Sequence, residues 1–417
     1  MAIRTEDFHI LASTPERGDL REIFSLRLAA ALHRYGTPAH RLETTMDMVM
    51  ARLGLQGDFF ALPTSLFAAF GRPESHRTSM MRGETGDVNL EKLSRLDNLA
   101  EEIILGRRTI TAAMEELESI TTASNRFGTA SIIVGTALGS GIACRMFGGG
   151  WREIATATVI GLVIGALAPH FTRREPRRRI FDVAAAVIAS ALAVLAGVFF
   201  SPFSVFIASM GGLILLFPGM RLTTAMTEIA SGHVVSGAAR LTGAVMAFIT
   251  IAFGSALGNR IMSTIVGAPE NLDPLPVMPG ITLWIFLFLF PLSMLIIMQA
   301  APRDLPLLIL STLLAFGGAR IGSLWLGPEL GAFIGALALG LGANIVSRRF
   351  HKPSAMMIAP GLILLVPGSI GYKSVSFLIE QNIDAGVALA MSVAMIGIAI
   401  VSGLLFANAL IPAQRTL

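Results

Sequence analysis

Two stretches of the chain break an apolar run in the same way. Residues 215–226 read "LLFPGMRLTTAM" and residues 364–375 read "LLVPGSIGYKSV". Proline removes a backbone donor and clashes with the preceding turn, and glycine weakens a helix further. A break inside an apolar span frees backbone N–H and C=O groups that must find partners in protein, water or a solute. A helix starting after Gly219 would aim its positive end at an anionic group such as a carboxylate. Arg221 would pair with the same anion, and the hydroxyls of Thr223 and Thr224 would take an ammonium or a hydroxyl. Glu228 is the carboxyl best placed to carry a proton. Beyond the second break stand Tyr372 and Lys373, the latter facing either an anion or the headgroup layer. A second reading ends the first helix at Pro218 and lays "MRLTTAMTEIASGH" on the surface, with Arg221 and Glu228 in water.

The elements that position these residues follow from composition. The chain has 417 residues, 53% of them hydrophobic and 14% charged, with a mean hydropathy of +0.68. Soluble domains carry roughly 25% charge. Residues 1–125 hold 18 acidic and 14 basic side chains, and residues 126–417 hold 10 and 18. An ordinary α+β domain over 1–125 is therefore followed by a membrane part. The basic excess sits between apolar spans, where it sets orientation, and does not point to nucleic acid. The single cysteine, Cys144, has no partner for a disulfide or metal site. The start of the chain has no apolar core of a cleavable signal.

Within 1–125, apolar periodicity predicts helices through "LREIFSLRLAAALHRY", residues 42–53, "LEKLSRLDNLAEEIIL" capped by Asn89, and "TITAAMEELESI". "DFFAL", "TSLFAAFG" and "HRTSMMRG" read as strands. His33 and His40 flank a turn and read as exposed or capping residues, since no cysteine or carboxylate pattern joins them into a metal pair.

Ten spans follow, at about 127–147, 151–170, 180–200, 203–231, 236–258, 281–300, 303–320, 330–346, 355–371 and 385–409. The basic clusters "RREPRRR" and "RRFHK" both follow even-numbered spans, so the positive-inside rule puts them, the N-terminal domain and the C-terminus in the cytoplasm. The two Pro-Gly pairs lie 149 positions apart. At that offset Gly212 meets Gly361, Gly237 meets Gly386, Gly254 meets Gly403 and Asn259 meets Asn408. The membrane part is thus a duplicated five-span unit, 126–265 and 266–417. An odd span count inverts the second copy, as in many secondary transporters. Arg240 reads as an interfacial anchor, Asp182 as a helix cap, and Asn259 and Asn408 as bridges between helices. Gly135 and Gly139, Gly161 and Gly165, and Gly331 and Gly335 have the spacing of close helix contact. "FGGGW" reads as a tight outer turn and lacks the Lys-Ser/Thr of a phosphate loop. With no metalloprotease helix and no nucleophile elbow, an intramembrane enzyme has little support.

The chain resembles the threonine/serine exporter family over nearly its whole length. The resemblance runs through "AAALHRYGTPAHRLETTMDMVMARLGL", "ALPTSLFAAFG" and "NLEKLSRLDNLAEEIILGRRTITAAMEELESI" in the first part. In the membrane part it runs through "FPGMRLTTAMTEIASGHVVSGAARLTGA" and "APGLILLVPGSIGY". It implies an exporter of threonine and serine in the cytoplasmic membrane, coupled to the proton motive force; the residues themselves show no catalytic signature, so no enzyme activity and no cofactor are expected. Two-chain relatives are associated with succinate, which leaves the solute open between an amino acid and a dicarboxylate. Glu228 stands where an aspartate is common in the family. The expected solute site is Pro218, Gly219, Arg221, Thr223, Thr224, Pro367, Gly368 and Tyr372, with Glu228 for the proton. Expected partners are a small solute and the lipid bilayer, with small-residue faces suited to a homo-oligomer. A membrane receptor or scaffold with a cytoplasmic binding domain is the reading from another class.

Overall fold

The structure, a computed structural model, describes residues 19–413 apart from 73, 84–85, 87, 173–174, 201 and 268–277. The chain's first residues, and Arg173 and Arg174 of the basic loop, lie outside the described residues.

The N-terminal unit is built as its patterning predicts. Helix α1 (Leu20–Arg34) starts at Asp19, whose carboxylate accepts the Arg21 N–H at 2.9 Å. The extended Pro38 leads into α2 (Ala39–Leu53), which stops at the left-handed Gly54. Strands β1 (Gly57–Leu62), β2 (Ser65–Phe70) and β3 (Arg77–Arg82) form an antiparallel meander with Leu62 opposite Ser65 and Leu66 opposite Met81. Alternation buries Leu66, Ala68 and Phe70 of β2 against the helices. Asn89 caps α3 (Leu90–Ile104) and Thr109 caps α4 (Ile110–Thr122).

The rest is helical: α5 (Thr129–Met146), α6 (Trp151–Thr172), the short α7 (Glu175–Arg178), α8 (Phe181–Phe199), α9 (Val205–Gly212), α10 (Gly219–Ala230) and α11 (Val234–Val266). Then come α12 (Ile281–Ile297), α13 (Leu305–Leu326), α14 (Pro328–Phe350), α15 (Ala355–Leu365), α16 (Gly368–Ile379) and α17 (Ile383–Leu410). Among the described residues eight stretches are long and apolar enough to cross a membrane, with α15 and α16 counted together. Taking α9 and α10, bent by 51°, as one broken span gives nine, and α12 is a shorter apolar helix of 17 residues.

Two elements outrun the spans drawn from sequence the furthest, by eight residues at one end. The fifth, expected over 236–258, runs from Val234 to Val266, and the ninth, expected to stop at 371, continues through α16 to Ile379. Both expectations ended at polar residues, Asn259-Arg260 and Tyr372-Lys373. Asn259, Arg260 and Tyr372 line a polar cavity, so they do not end the helix. At 1.5 Å per residue the 33 residues of α11 measure about 50 Å, well beyond a hydrocarbon layer of about 30 Å.

The small-residue spacings are helix contacts. A Cβ on Gly135 or Gly139 would stand 2.9 Å from Ile296 or Ser293 of α12, and one on Gly331 or Gly335 2.8 Å from backbone oxygens of α13. The 149-residue correspondence extends to the backbone. Helices α10 and α16 begin and end at the same 149-residue offset, as do the starts of α11 and α17. Pro218 has φ −77 and ψ 37, and Pro367 has φ −79 and ψ 43. The following turns close alike: His233 N–H donates to the Glu228 carbonyl at 2.8 Å, and Asn382 N–H to the Phe377 carbonyl at 2.9 Å.

Candidate functional site

The two Pro-Gly breaks meet. A Cβ on Gly219 would lie 2.7 Å from a Val366 methyl, and one on Gly368 would lie 3.3 Å from Phe217 Cβ and 3.9 Å from Gly219 Cα. Glycine at both positions therefore lets the two broken backbones touch. On one side of this crossing Tyr372, 2% exposed, stacks on Phe217 at 5.0 Å and on Phe206 at 5.7 Å. Tyr372 forms part of the wall of a cavity of about 440 Å³ between α8, α9, α11 and α16. The hydroxyls of Ser190, Ser209, Ser255 and Ser376 and the Asn259 amide line it, with one cation, Arg260, and one anion, Glu380, both exposed.

At the far end of α10 the polar groups are paired. Glu228 is fully buried and accepts from the Ser236 hydroxyl at 2.8 Å, from Arg240 Nε at 3.0 Å, and from the backbone N–H of Ala39 at 3.0 Å. This N–H belongs to the first residue of α2, so the N-terminal unit reaches into the helical part. Beside it Glu43 takes the Ala61 N–H at 2.8 Å with one oxygen and faces His233 Nε2 at 2.8 Å with the other. Arg41 Nη1 donates to the Ser354 hydroxyl at 2.8 Å, and Leu90 N–H to the Met298 carbonyl at 2.9 Å. Burial, with the charges of Arg41 and His233, lowers the His40 pKa to about 4. Burial also pulls Arg41 down.

Of the expected site residues, Pro218, Gly219, Pro367 and Gly368 come together at the crossing, and Tyr372 lines the cavity beside it. Thr223 is buried and its hydroxyl turns back to the Gly219 carbonyl at 3.3 Å. Thr224 is half-buried, and Arg221 is exposed on α10, its charge acting on Asp182. Neither lines the cavity. Arg221 is exposed, as the surface-helix reading expects, whereas Glu228 is fully buried, which that reading does not expect. Arg240, expected as an interfacial anchor, is instead the partner of Glu228, with its side chain 12% exposed. His33 and His40, expected as exposed or capping, are covered because the turn between α1 and α2 packs onto the helical part. His33 is 2% exposed, with Nε2 2.8 Å from the Leu62 carbonyl, and the His40 ring is 6.0 Å from that of His233. Asn408 does bridge helices, accepting from Asn344 at 2.8 Å, whereas Asn259 accepts from Ser263 one turn along its own helix.

Sequence reasoning missed Arg260, Glu380, Ser236 and the Ala39 N–H. The repeat offset carried a signal for one of them: Ser236 and Arg240 lie one helical turn apart, where the second copy has the apolar Ala385 and Leu389.

The chain is 28% identical over 375 residues to a pheromone-regulated membrane protein 10 of Yarrowia lipolytica, which covers 84% of this chain and 30% of that protein. It is 26% identical over 378 residues to the protein of the same name in Debaryomyces hansenii, covering 85% and 36%. An uncharacterized protein of Schizosaccharomyces pombe is 25% identical over 387 residues, covering 89% and 50%. The chain thus spans half or less of the length of these relatives. No solved structure matches it. Models of the threonine/serine exporter family match residues 23–262 and 284–410. With apolar helices able to cross a bilayer several times and family matches over both of its halves, the chain belongs to the threonine/serine exporter family of multi-pass membrane transport proteins.

Proposed function

We propose that this chain is a secondary exporter of small amino acids, threonine and serine, driven by the proton motive force. In this reading residues 1–125 form a cytoplasmic domain. Residues 126–265 and 266–417 form two inverted five-span repeats in the cytoplasmic membrane, with both termini inside. The matched backbone of α10 and α16 supports the repeat, and the basic loops support the orientation. The observation that carries the reading is the contact of the two Pro-Gly breaks beside a polar cavity. Broken spans that line a cavity are where such transporters bind a solute. The solute would pass between Pro218, Gly219, Arg221, Thr223 and Thr224 on one span and Pro367, Gly368 and Tyr372 on the other. Glu228 is the proton-coupling group.

The cavity has one guanidinium, one carboxylate and several hydroxyls. A zwitterion that also carries a hydroxyl matches that set. A dicarboxylate such as succinate would set a second negative charge against Glu380, which favours the amino acid over it. The test is release of labelled threonine from liposomes holding the purified chain, its Arg260→Gln variant and its Tyr372→Ala variant. Loss of one charge-assisted hydrogen bond should slow Arg260→Gln by about tenfold, and Tyr372→Ala should fall further. Release at parental rates from both variants would remove the cavity from the pathway. No release from folded parent protein would move the reading to a receptor or scaffold.

A further inference from the structure

The first five residues of α2 hold both broken spans by their ends. Ala39 N–H binds Glu228, in the last turn of α10, and Glu43 meets His233 in the turn that follows. Arg41 binds Ser354, the residue that precedes α15. Thus one and a half turns of a single helix tie the end of the first broken span to the start of the second. The helix is itself fixed: Leu42 and Met46 are fully buried in the apolar core. A further tie runs from the start of α3, where Leu90 and Glu91 donate to the carbonyls of Met298 and Gln299 between α12 and α13. The first half of the membrane part is held at Glu228 and His233, the second at Ser354, Met298 and Gln299.

At the opposite end Arg145 of α5 donates to the Thr282 hydroxyl of α12 at 2.8 Å, a tie between the halves that touches neither broken span, and the polar cavity lies there, toward the outer ends of α11 and α16. One end of the crossing is strapped while the other has the polar cavity; an apolar cavity of about 880 Å³ runs alongside, walled by α10, α11, α16 and α17. We propose that α2 is an inner strap that locks the two broken spans together, and that solute reaches the crossing from this end only when the strap lets go. This rests on the exporter reading for its purpose, since alternating access requires the two halves to separate at each end in turn. The bonds fit a releasable device. One is a single N–H to a carboxylate that keeps two other partners, and another is one guanidinium to one hydroxyl.

Two substitutions cut the strap at different points. Ala39→Pro deletes only the N–H to Glu228. Proline is at home in the first position of a helix, and the preceding Pro38, with φ −60 and ψ 151, already has the extended backbone a following proline demands. Arg41→Ala cuts the tie to Ser354. In the full chain in bilayers, spin labels on Ser231→Cys and Arg349→Cys, both exposed in the turns at the strapped end, report the separation of the halves. Cys144 is fully buried and stays unlabelled. The parent should give one narrow distance, each cut a second and longer population, and the double variant mostly the longer one. Labelled-threonine release should rise several-fold in Arg41→Ala. Unchanged distances in both variants overturn the strap, as do changed distances with release equal to that of a parent that does export threonine. The distances need no flux, so a chain that opens on cutting but moves no threonine would fail the exporter reading and not the lock.

Discussion

The two copies of the broken span share a backbone and differ in what their ends carry. Pro218 and Pro367 have nearly the same dihedral angles, and the turns after α10 and α16 close with the same hydrogen bonds. Yet Glu228, Ser236 and Arg240 of the first copy stand where the second has Phe377, Ala385 and Leu389. Thr223 stands where the second has Tyr372. In the first copy the far end is a buried ion pair closed by the N-terminal unit. In the second the same positions carry aromatic and aliphatic side chains, and the helix borders the polar cavity. The matched backbones build the crossing, and the difference in these side chains separates the end held by the N-terminal unit from the end with the polar cavity.

The comparison breaks hardest at the ion pair. Arg240→Ala leaves the Glu228 carboxylate buried without its counter-charge, which costs about 3–5 kcal/mol. Its melting temperature in detergent should fall sharply. Giving the first copy the residues of the second, Glu228→Phe with Ser236→Ala and Arg240→Leu, should recover much of that stability, because an apolar replacement removes the desolvation cost. The same exchange should abolish proton-dependent release. An Arg240→Ala protein that melts with the parent would mean that the pair contributes little.

A smaller effect separates the two glycines at the crossing. A Cβ meets Val366 at 2.7 Å from position 219 and Phe217 at 3.3 Å from position 368. Gly219→Ala should cost about 1–3 kcal/mol and Gly368→Ala clearly less, read as melting shifts of the two variants side by side. Equal shifts would show that the crossing is not tighter on the first copy's side.

The smallest expected effect is a pH dependence at the closed end. Docked, His40 has its pKa held to about 4 by burial, then by Arg41 and His233, the latter facing Glu43. Undocked, it returns to about 6.5. Above that value both forms are neutral and pH has no effect through His40. As pH falls from 6.5 toward 4 the undocked form gains a proton that the docked form does not, so docking weakens. Hydrogen exchange of α2 should quicken over this range in the parent and less in His40→Asn. A parent with flat exchange from pH 7 to 5 would remove His40 from the balance.

Much of the architecture was legible because helix periodicity and strand alternation act locally. The three strands, the cap at Asn89 and the small-residue contacts of α5 and α14 all follow from nearest neighbours in sequence. The Pro-Gly pairs also announced the broken spans. What could not be read is which faces meet. Arg240 and Glu228 are 12 residues apart across a turn, and only the return of α11 along α10 pairs them. The Ala39 N–H is invisible to any argument from side chains. His33 and His40 looked solvated because the sequence shows a turn and hides the surface that covers it. Asn259 and Arg260 looked like the end of a span because a polar residue facing a cavity and one facing water read alike.

The most direct test of the account is flux through the parent chain. Purified protein is reconstituted in liposomes loaded with labelled threonine or labelled succinate, and release is followed with and without an imposed pH gradient. The account predicts gradient-dependent release of threonine and little release of succinate. Succinate release exceeding that of threonine would contradict the assignment of the cavity to a zwitterion, and threonine release that ignores the gradient would contradict proton coupling.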